Sequence, residues 1–316
     1  MNINRRTFLR TAGYAAVTSF STCLLDCRDK STGDVRKKPN HLEKVLLIGI
    51  DGLRADALRE AHTPHIDSLL AEGAYSFAAR TGEYTISFPG WSNIFTGVWE
   101  NKHGVVANPG KGAQIIANYK RYPSFFTRAK RYYPKLNTMS LVSWGSINDF
   151  IIRDLNKNIC HPYEKEKEEA DTHIAEDAAL ILGKENPDLM FVYLVNVDGA
   201  GHTHGYGSLG YLKSIEQTDV YVGRVIEALK QRLHHQQENW LTLLISDHGG
   251  KGKSHDGVGE EARSIPFIMH GPAVQKGEIL PVPTQVDIAP TILTYFGVPV
   301  REEWGLDGKV VGLKGR

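Results

Sequence analysis

The chain has 316 residues, 41% hydrophobic and 23% charged, with 37 Lys+Arg against 36 Asp+Glu. That profile excludes disorder, collagen and coiled coil, and a net charge of +1 with no basic stripe excludes binding to a nucleic-acid polymer. A single core can bury roughly three quarters of the unfolded surface at this length, so composition allows one large domain or two small ones.

The first segment is set apart from the rest. Arg5-Arg6 followed by Phe8-Leu9 precedes a weakly apolar run, Ala12 to Leu25, too short and too polar to span a membrane. Residues 1–30 resemble a bacterial twin-arginine signal, which implies a periplasmic or secreted protein and leaves 31–316, expected to form a single domain. The remaining chain has a net charge of −2. Cys23 and Cys27 end the signal and only Cys160 lies in the body, so an internal disulfide is excluded. Phe20-Ser21-Thr22-Cys23 is a poor lipoprotein cleavage box, and a lipid on Cys23 is the one membrane attachment the sequence leaves open. The twin-arginine route carries folded proteins, often with metal bound, which the resemblance implies would suit a metalloenzyme.

Apolar runs at Val45–Ile50, Thr138–Val142, Leu189–Val197, Leu241–Ile245 and Ile265–Met269 predict buried strands. Helical patterns fall between them at Thr63–Glu72, Asp171–Leu182, Leu209–Leu233 and Asp287–Tyr295. The charge run Glu164–Glu169 reads as a solvated helix start. Alternating strands and helices predict an α/β fold, a three-layer α/β/α sandwich with a mostly parallel central sheet. Ligands then bind beyond the carboxyl ends of the strands.

Three strands end in acidic residues there: Asp51, Asp198 and Asp247. A lone Asp is ordinarily a cap or turn residue. Three on one sheet edge would repel unless a cation held them. His202, His248 and His255 supply nitrogen donors, and six mixed Asp/His ligands divide into two sites of three, a set suited to two Zn2+ ions rather than calcium or magnesium. Gly201, Gly249, Gly250 and Gly257 are expected to let the backbone turn tightly around them, and His204 is expected outside the ligand set.

In their order and spacing these residues resemble the alkaline phosphatase superfamily, in its nucleotide pyrophosphatase/phosphodiesterase branch. The resemblance runs from Val45 to about Gly308 on Gly49 to Arg54, Thr63 to Asp67, Ser87 to Ser92, Thr96-Gly97, His103 to Val105, Asp198 to His202, Ser246 to Gly249, and Asp287 to Thr291. It implies one zinc on Asp198, His202 and His255 and the other on Asp51, Asp247, His248 and the nucleophile. The nucleophile position, two residues before Pro89, is Ser87; Thr85 is the rival, and a helix-capping hydroxyl the structural alternative. Asn108 stands where that branch has an Asn bonding a phosphate oxygen, with backbone amides after Ser87 expected to hold the other oxygens.

The implied activity is two-zinc hydrolysis of phosphoric esters through a phosphoseryl intermediate, with a small phosphate ester or nucleotide as substrate. Phosphodiesterase or nucleotide pyrophosphatase stands first, phosphomonoesterase and phosphonate hydrolase next, a non-catalytic zinc protein last. Monoester cleavage needs a further cation, for which Lys111, Arg121, Arg153 and Lys251 are candidates. Tyr84, Phe88, Trp91 and Trp144 are candidates to stack on a leaving group. The family's Asn-His after the proline is Gly90-Trp91 here, which implies a different pocket wall. Sulfatases have an Arg where this chain has Trp91, so that reading is disfavoured, and no segment between Asn108 and Thr138 is long enough for the second domain of a phosphoglycerate mutase.

Overall fold

The computed structural model describes residues 43–110, 117–256 and 259–315. The expected signal over 1–30, Cys23, Lys111 and Gly257 lie outside them. The strands are β1 (Glu43–Ile50), β2 (Ala74–Arg80), β3 (Thr138–Val142), β4 (Lys157–Cys160), β5 (Leu189–Leu194), β6 (Asn239–Ile245), β7 (Ser264–His270) and β8 (Gly277–Glu278). They form one sheet in the order β4-β3-β5-β1-β6-β7-β2-β8. The run from β4 to β6 is parallel, whereas β7 is antiparallel to both β6 and β2.

β1 sits at the centre with Ile48 beside Val192 of β5 and Leu244 of β6. Successive side chains of a strand face opposite ways, so a strand covered on both sides must be apolar throughout. Val45, Leu47, Phe191, Tyr193 and Leu243 enter one core, with Phe88, Trp91 and Phe95 from α3 (Ser87–Thr96, numbered with those below). Leu46, Ile48, Met190, Val192 and Leu244 enter the other.

The remaining helices are α1 (Ala55–Glu60), α2 (Pro64–Glu72), α4 (Glu100–His103), α5 (Phe125–Tyr132), α6 (Tyr163–Glu166), α7 (Glu169–Lys184), α8 (Asn196–His204), α9 (Leu209–Lys230), α10 (Glu260–Arg263) and α11 (Ile288–Tyr295). α3, α5 and α11 cover the first face; α1, α2, α7 and α9 cover the second. Each fully buried Leu, Ile or Phe contributes about 1.5–3 kcal/mol, so the double-sided centre is the most strongly held part. Among the described residues no helix is long and apolar enough to cross a membrane.

All five expected strands and all four expected helices are present, with one displacement that matters. Val195–Val197 do not extend the third strand, because the Asp171 carboxylate accepts hydrogen bonds from the amides of Val195 and Asn196 at 3.0 and 2.8 Å and starts α8. Asp198 is therefore a helix residue. β2, β4 and β8 carry too little apolar periodicity to stand out: β2 is rich in alanine, β4 reads Lys-Asn-Ile-Cys at a sheet edge, and β8 has two residues. The Glu164–Glu169 run is mostly exposed, as a solvated helix start should be, although Glu166 turns partly inward.

Candidate metal centre

The parallel order β5-β1-β6 brings three chain segments to one edge. Asp51 follows β1 directly, Asp247 lies two residues past β6, and α8 begins beyond β5. Two groups of side chains there can each hold a metal ion, Asp51 with Asp247 and His248, and Asp198 with His202 and His255, their ligand atoms within 4.8 Å inside each group. The groups are adjacent, since the rings of His248 and His255 stack with centroids 4.0 Å apart. Asp198 and His202 meet as an i, i+4 pair on α8, Oδ2 to Nε2 3.4 Å.

Each imidazole is oriented by a backbone carbonyl. Nδ1 of His248 lies 2.8 Å from the Gly249 carbonyl, that of His255 2.6 Å from the Thr85 carbonyl, and that of His202 3.0 Å from the Lys253 carbonyl. A carbonyl only accepts, so in the neutral ring Nδ1 carries the proton and Nε2 presents a lone pair. For His248 that lone pair faces Asp51 Oδ1 at 3.5 Å and Asp247 Oδ2 at 3.3 Å. Both oxygens are buried without a hydrogen-bond partner. Three acceptors aimed at one point in a dry site demand a cation, and the donor set, one nitrogen and carboxylate oxygens, suits a metal of the zinc type.

The electrostatics agree. Burial and then the Asp198 charge push Asp51 up to about 7, and burial with the Asp51 and Asp198 charges raises Asp247 well above the carboxylate range. Burial and the neighbouring His255 bring His248 down to about 3. Burial raises Asp198, but the His202 hydrogen bond and the charges of His248 and His202 outweigh it and hold the group at about 2. The same hydrogen bond lifts His202 to about 9. A site that would otherwise retain protons on its carboxylates binds a dication by releasing them.

Ser87 is the first residue of α3, not its cap; Ile86 occupies that position. The Ser87 hydroxyl instead lies 3.2 Å from His248 Nε2. Gly90 lets α3 approach this closely, because a Cβ there would stand 2.9 Å from both Cβ and the carbonyl oxygen of Asp247. Thr85 is bound elsewhere, its hydroxyl donating to the His255 carbonyl and its own carbonyl holding the His255 ring. The exposed Asn108 accepts a hydrogen bond from the Phe88 amide at 2.8 Å. That amide, expected to face a phosphate oxygen, is engaged by Asn108.

Several expectations shift. Trp91 and Phe88 are fully buried and do not line the pocket wall. Trp91 lies under β1, where Gly49 leaves room that any Cβ would take from the ring, and its Nε1 donates to Asp51 Oδ2 at 3.1 Å. Gly201, Gly249 and Gly250 do not adopt left-handed turns; Gly201 and Gly250 admit the ring of Tyr206, and Gly249 the carbonyl of Glu261. His204 is exposed and outside both groups, as expected. Of the candidate cations, Arg121 donates to the Glu303 carbonyl at 2.8 Å, Lys251 pairs with Glu261 at 3.2 Å, and Arg153 lines a cavity with Lys120 and Arg131. Tyr84 borders an open cavity of about 720 Å3 with Trp99 and Arg263.

Supporting residues carried no signal in the sequence. Tyr193 donates to Asp51 Oδ2 at 2.5 Å, and Tyr206 donates to Asp198 Oδ1. Gln285 donates to the Asp247 carbonyl at 3.0 Å and accepts from Asn93 at 2.7 Å, and Asn93 also contacts the buried His103 ring at 2.7 Å. Tyr193 is indistinguishable from any aromatic of a buried strand, and Gln285 lies 38 residues from the residue it holds.

The profile of the type I phosphodiesterase / nucleotide pyrophosphatase family matches residues 45–262. Ectonucleotide pyrophosphatase/phosphodiesterase family member 3 of Rattus norvegicus is 28% identical over 246 residues, 72% of this chain and 28% of that protein. The chain spans about half or less of the length of the curated relatives it matches. Among solved structures, murine ectonucleotide pyrophosphatase/phosphodiesterase 5, an inactive threonine-to-alanine variant in complex with AMP, superimposes with a TM-score of 0.64 at 16% identity, over 82% of this chain and 96% of that one. A 2-O GAG sulfatase shares the fold with a TM-score of 0.69 at 15% identity, over 85% of this chain and 73% of that one. With most of its length covered by that profile, the chain belongs to the type I phosphodiesterase / nucleotide pyrophosphatase family, a branch of the alkaline phosphatase superfamily.

Proposed function

We propose that the protein hydrolyses small phosphodiesters or nucleotide pyrophosphates through a covalent phosphoseryl intermediate on Ser87. The observation that carries this reading is the Ser87 hydroxyl, 3.2 Å from His248 Nε2 at the head of α3. Asp51, Asp247, His248 and Ser87 would hold one Zn2+, and Asp198, His202 and His255 the second. Bound there, the ions supply Lewis acidity to the attacking and leaving oxygens and ease ionisation of the serine.

Ser87 Oγ attacks phosphorus in line, the bond to the leaving oxygen breaks, and water then cleaves the Ser87 O–P bond to release a phosphate monoester and restore the hydroxyl. With its Nδ1–H on the Gly249 carbonyl, His248 presents Nε2, and as a metal ligand that nitrogen would hold the ion beside Ser87 rather than serve as a free base. With its oxygen taken by the Phe88 amide, the Asn108 carboxamide keeps its NH2 to donate to a non-bridging oxygen as charge develops. Tyr84, 37% exposed, offers a ring face to a nucleobase, consistent with the AMP held by the murine structure.

A sulfatase reading lacks its arginine. That position is Trp91, sealed in the core and committed to Asp51. Export through the segment at Arg5-Arg6, with 31–316 as one catalytic domain, belongs to the same reading, and cell fractionation of the full chain tests it.

The deciding experiment compares hydrolysis of bis(p-nitrophenyl) phosphate and p-nitrophenyl phosphate by the zinc-loaded enzyme and by Ser87→Ala. A diester preference is expected, with Ser87→Ala falling below a few per cent of wild type while folding and zinc content persist. Substantial activity in Ser87→Ala would remove the serine from its role, and a monoester preference would replace the phosphodiesterase reading.

A further inference from the structure

Beyond the sheet edge just described, the described residues hold one more group of ligating side chains. His161 follows β4, Glu166 ends the short α6, and His173 and Asp177 lie one turn apart on α7. His161, Glu166 and His173 bring their ligand atoms within 4.8 Å of one another. With Glu176 and Asp177 they line an open depression of about 300 Å3. None of these residues belongs to the proposed hydrolytic machinery.

The hydrogen-bond pattern repeats the logic of the catalytic ligands. Asp177 Oδ2 sits 2.9 Å from His161 Nε2, a carboxylate that places the proton on that nitrogen and leaves His161 Nδ1 as an acceptor. That acceptor faces the Glu166 carboxylate at 3.3 and 3.4 Å. His173 Nδ1 approaches the same carboxylate at 2.7 Å, and the two imidazole rings lie 5.2 Å apart. With His161 Nε2 donating to Asp177, its Nδ1 opposes the Glu166 carboxylate as acceptor against acceptor, and a dication between them removes that conflict.

We propose that His161, Glu166 and His173 form a third transition-metal site, of the zinc type, with Asp177 fixing the His161 ring. Two imidazoles and one carboxylate with an open position are a recurrent zinc donor set. The ion ties together the end of β4, α6 and α7. α7 in turn carries Asp171, whose carboxylate starts α8 and so supports Asp198 and His202. The site is thus a structural clamp behind the second metal group.

The test counts ions. Full-length protein, stripped by dialysis against chelator, is titrated with Zn2+ against a colorimetric chelator, and bound metal is counted for wild type, His161→Gln/His173→Gln and Glu166→Gln. The expected result is one equivalent fewer in both variants, together with a smaller zinc-induced rise in melting temperature. Equal counts in wild type and variants overturn the proposal and leave a hydrogen-bonded His/Glu cluster only. If the double variant fails to fold by circular dichroism, Glu166→Gln decides alone. The readout is a difference, so it stands whatever number of ions the catalytic edge holds.

Discussion

The two ligand groups at the sheet edge touch each other but are made from different parts of the molecule. Asp51, Asp247 and His248 are at most 1% exposed, clasped between β1, β6 and α3. The His202 side chain is 46% exposed, and it stands on α8 with its ring turned by a carbonyl of the segment following β6. Position in the buried group is inherited from the core, where packing density leaves little room to move. Position in the outer group rests for Asp198 and His202 on one short helix with its carboxylate cap, and for the buried His255 on the Thr85 carbonyl. Under the proposed function the contrast separates labour: a nucleophile benefits from a fixed seat, whereas the side that would admit water and release product benefits from access.

The sharpest way to break this contrast is to remove one ligand from each group. Asp247→Asn should cost several kcal/mol of transition-state stabilisation, about 10³-fold or more in kcat/KM, and the loss should persist in excess zinc because the buried acceptors stay mismatched. His202→Ala should cost about 10²-fold at limiting zinc and recover partly as zinc is raised, water replacing the imidazole. Activity and metal content measured across a zinc titration decide; equal recovery in both variants would erase the distinction, and two zinc ions still on Asp247→Asn would remove Asp247 from the ligand set.

A finer version changes the residues that hold the ligands. Tyr193→Phe strips a hydroxyl from Asp51 in a dry site and should weaken metal binding about tenfold, read by competition with a chromophoric chelator. Tyr206→Phe strips one from Asp198, where water can substitute, and should weaken binding less. The reverse order would show that the outer group is the rigid one.

Acid sharpens the comparison least but most simply. His103, behind the buried group through Asn93 and Gln285, is brought down to about 4 by burial. An unfolded histidine protonates near 6.5 while the folded one stays neutral to about 4, so the stabilisation is present above 6.5 and lost as pH falls, up to about 3 kcal/mol. Urea unfolding of the metal-free protein at several pH values measures it, and His103→Gln should flatten that part of the curve.

Much of this was legible before the structure. The double-sided apolar strands declare a central parallel sheet; Asp51, Asp198 and Asp247 stand out as acidic residues after apolar runs, His202, His248 and His255 as their neighbours in sequence, and Ser87 only through its place two residues before Pro89 in the family's pattern. What stayed hidden has a common cause. Tyr193, Trp91 and Tyr206 act through a single polar atom on an otherwise ordinary buried side chain, Gln285 through its one amide group, and so few atoms leave no trace in a periodicity. Trp91, expected near the pocket, is packed under β1 because Gly49 leaves beneath that strand the space its ring fills, a fit between distant residues that no local pattern announces. The apolar run through Val197 suits a strand, but the amides past β5 are taken by Asp171, a residue 24 positions from Val195.

Trp91 also makes the centre observable. The chain has five tryptophans, and this indole is sealed from water with its N–H on the very carboxylate that would grip the ion. Any change in the charge of Asp51 alters the field across the ring, so ultraviolet emission from Trp91 is a built-in optical gauge of that carboxylate. Loading and stripping of metal should register in the protein's own fluorescence, without dye or substrate, and a Trp91→Phe variant would silence the signal while leaving the other four tryptophans to glow unchanged.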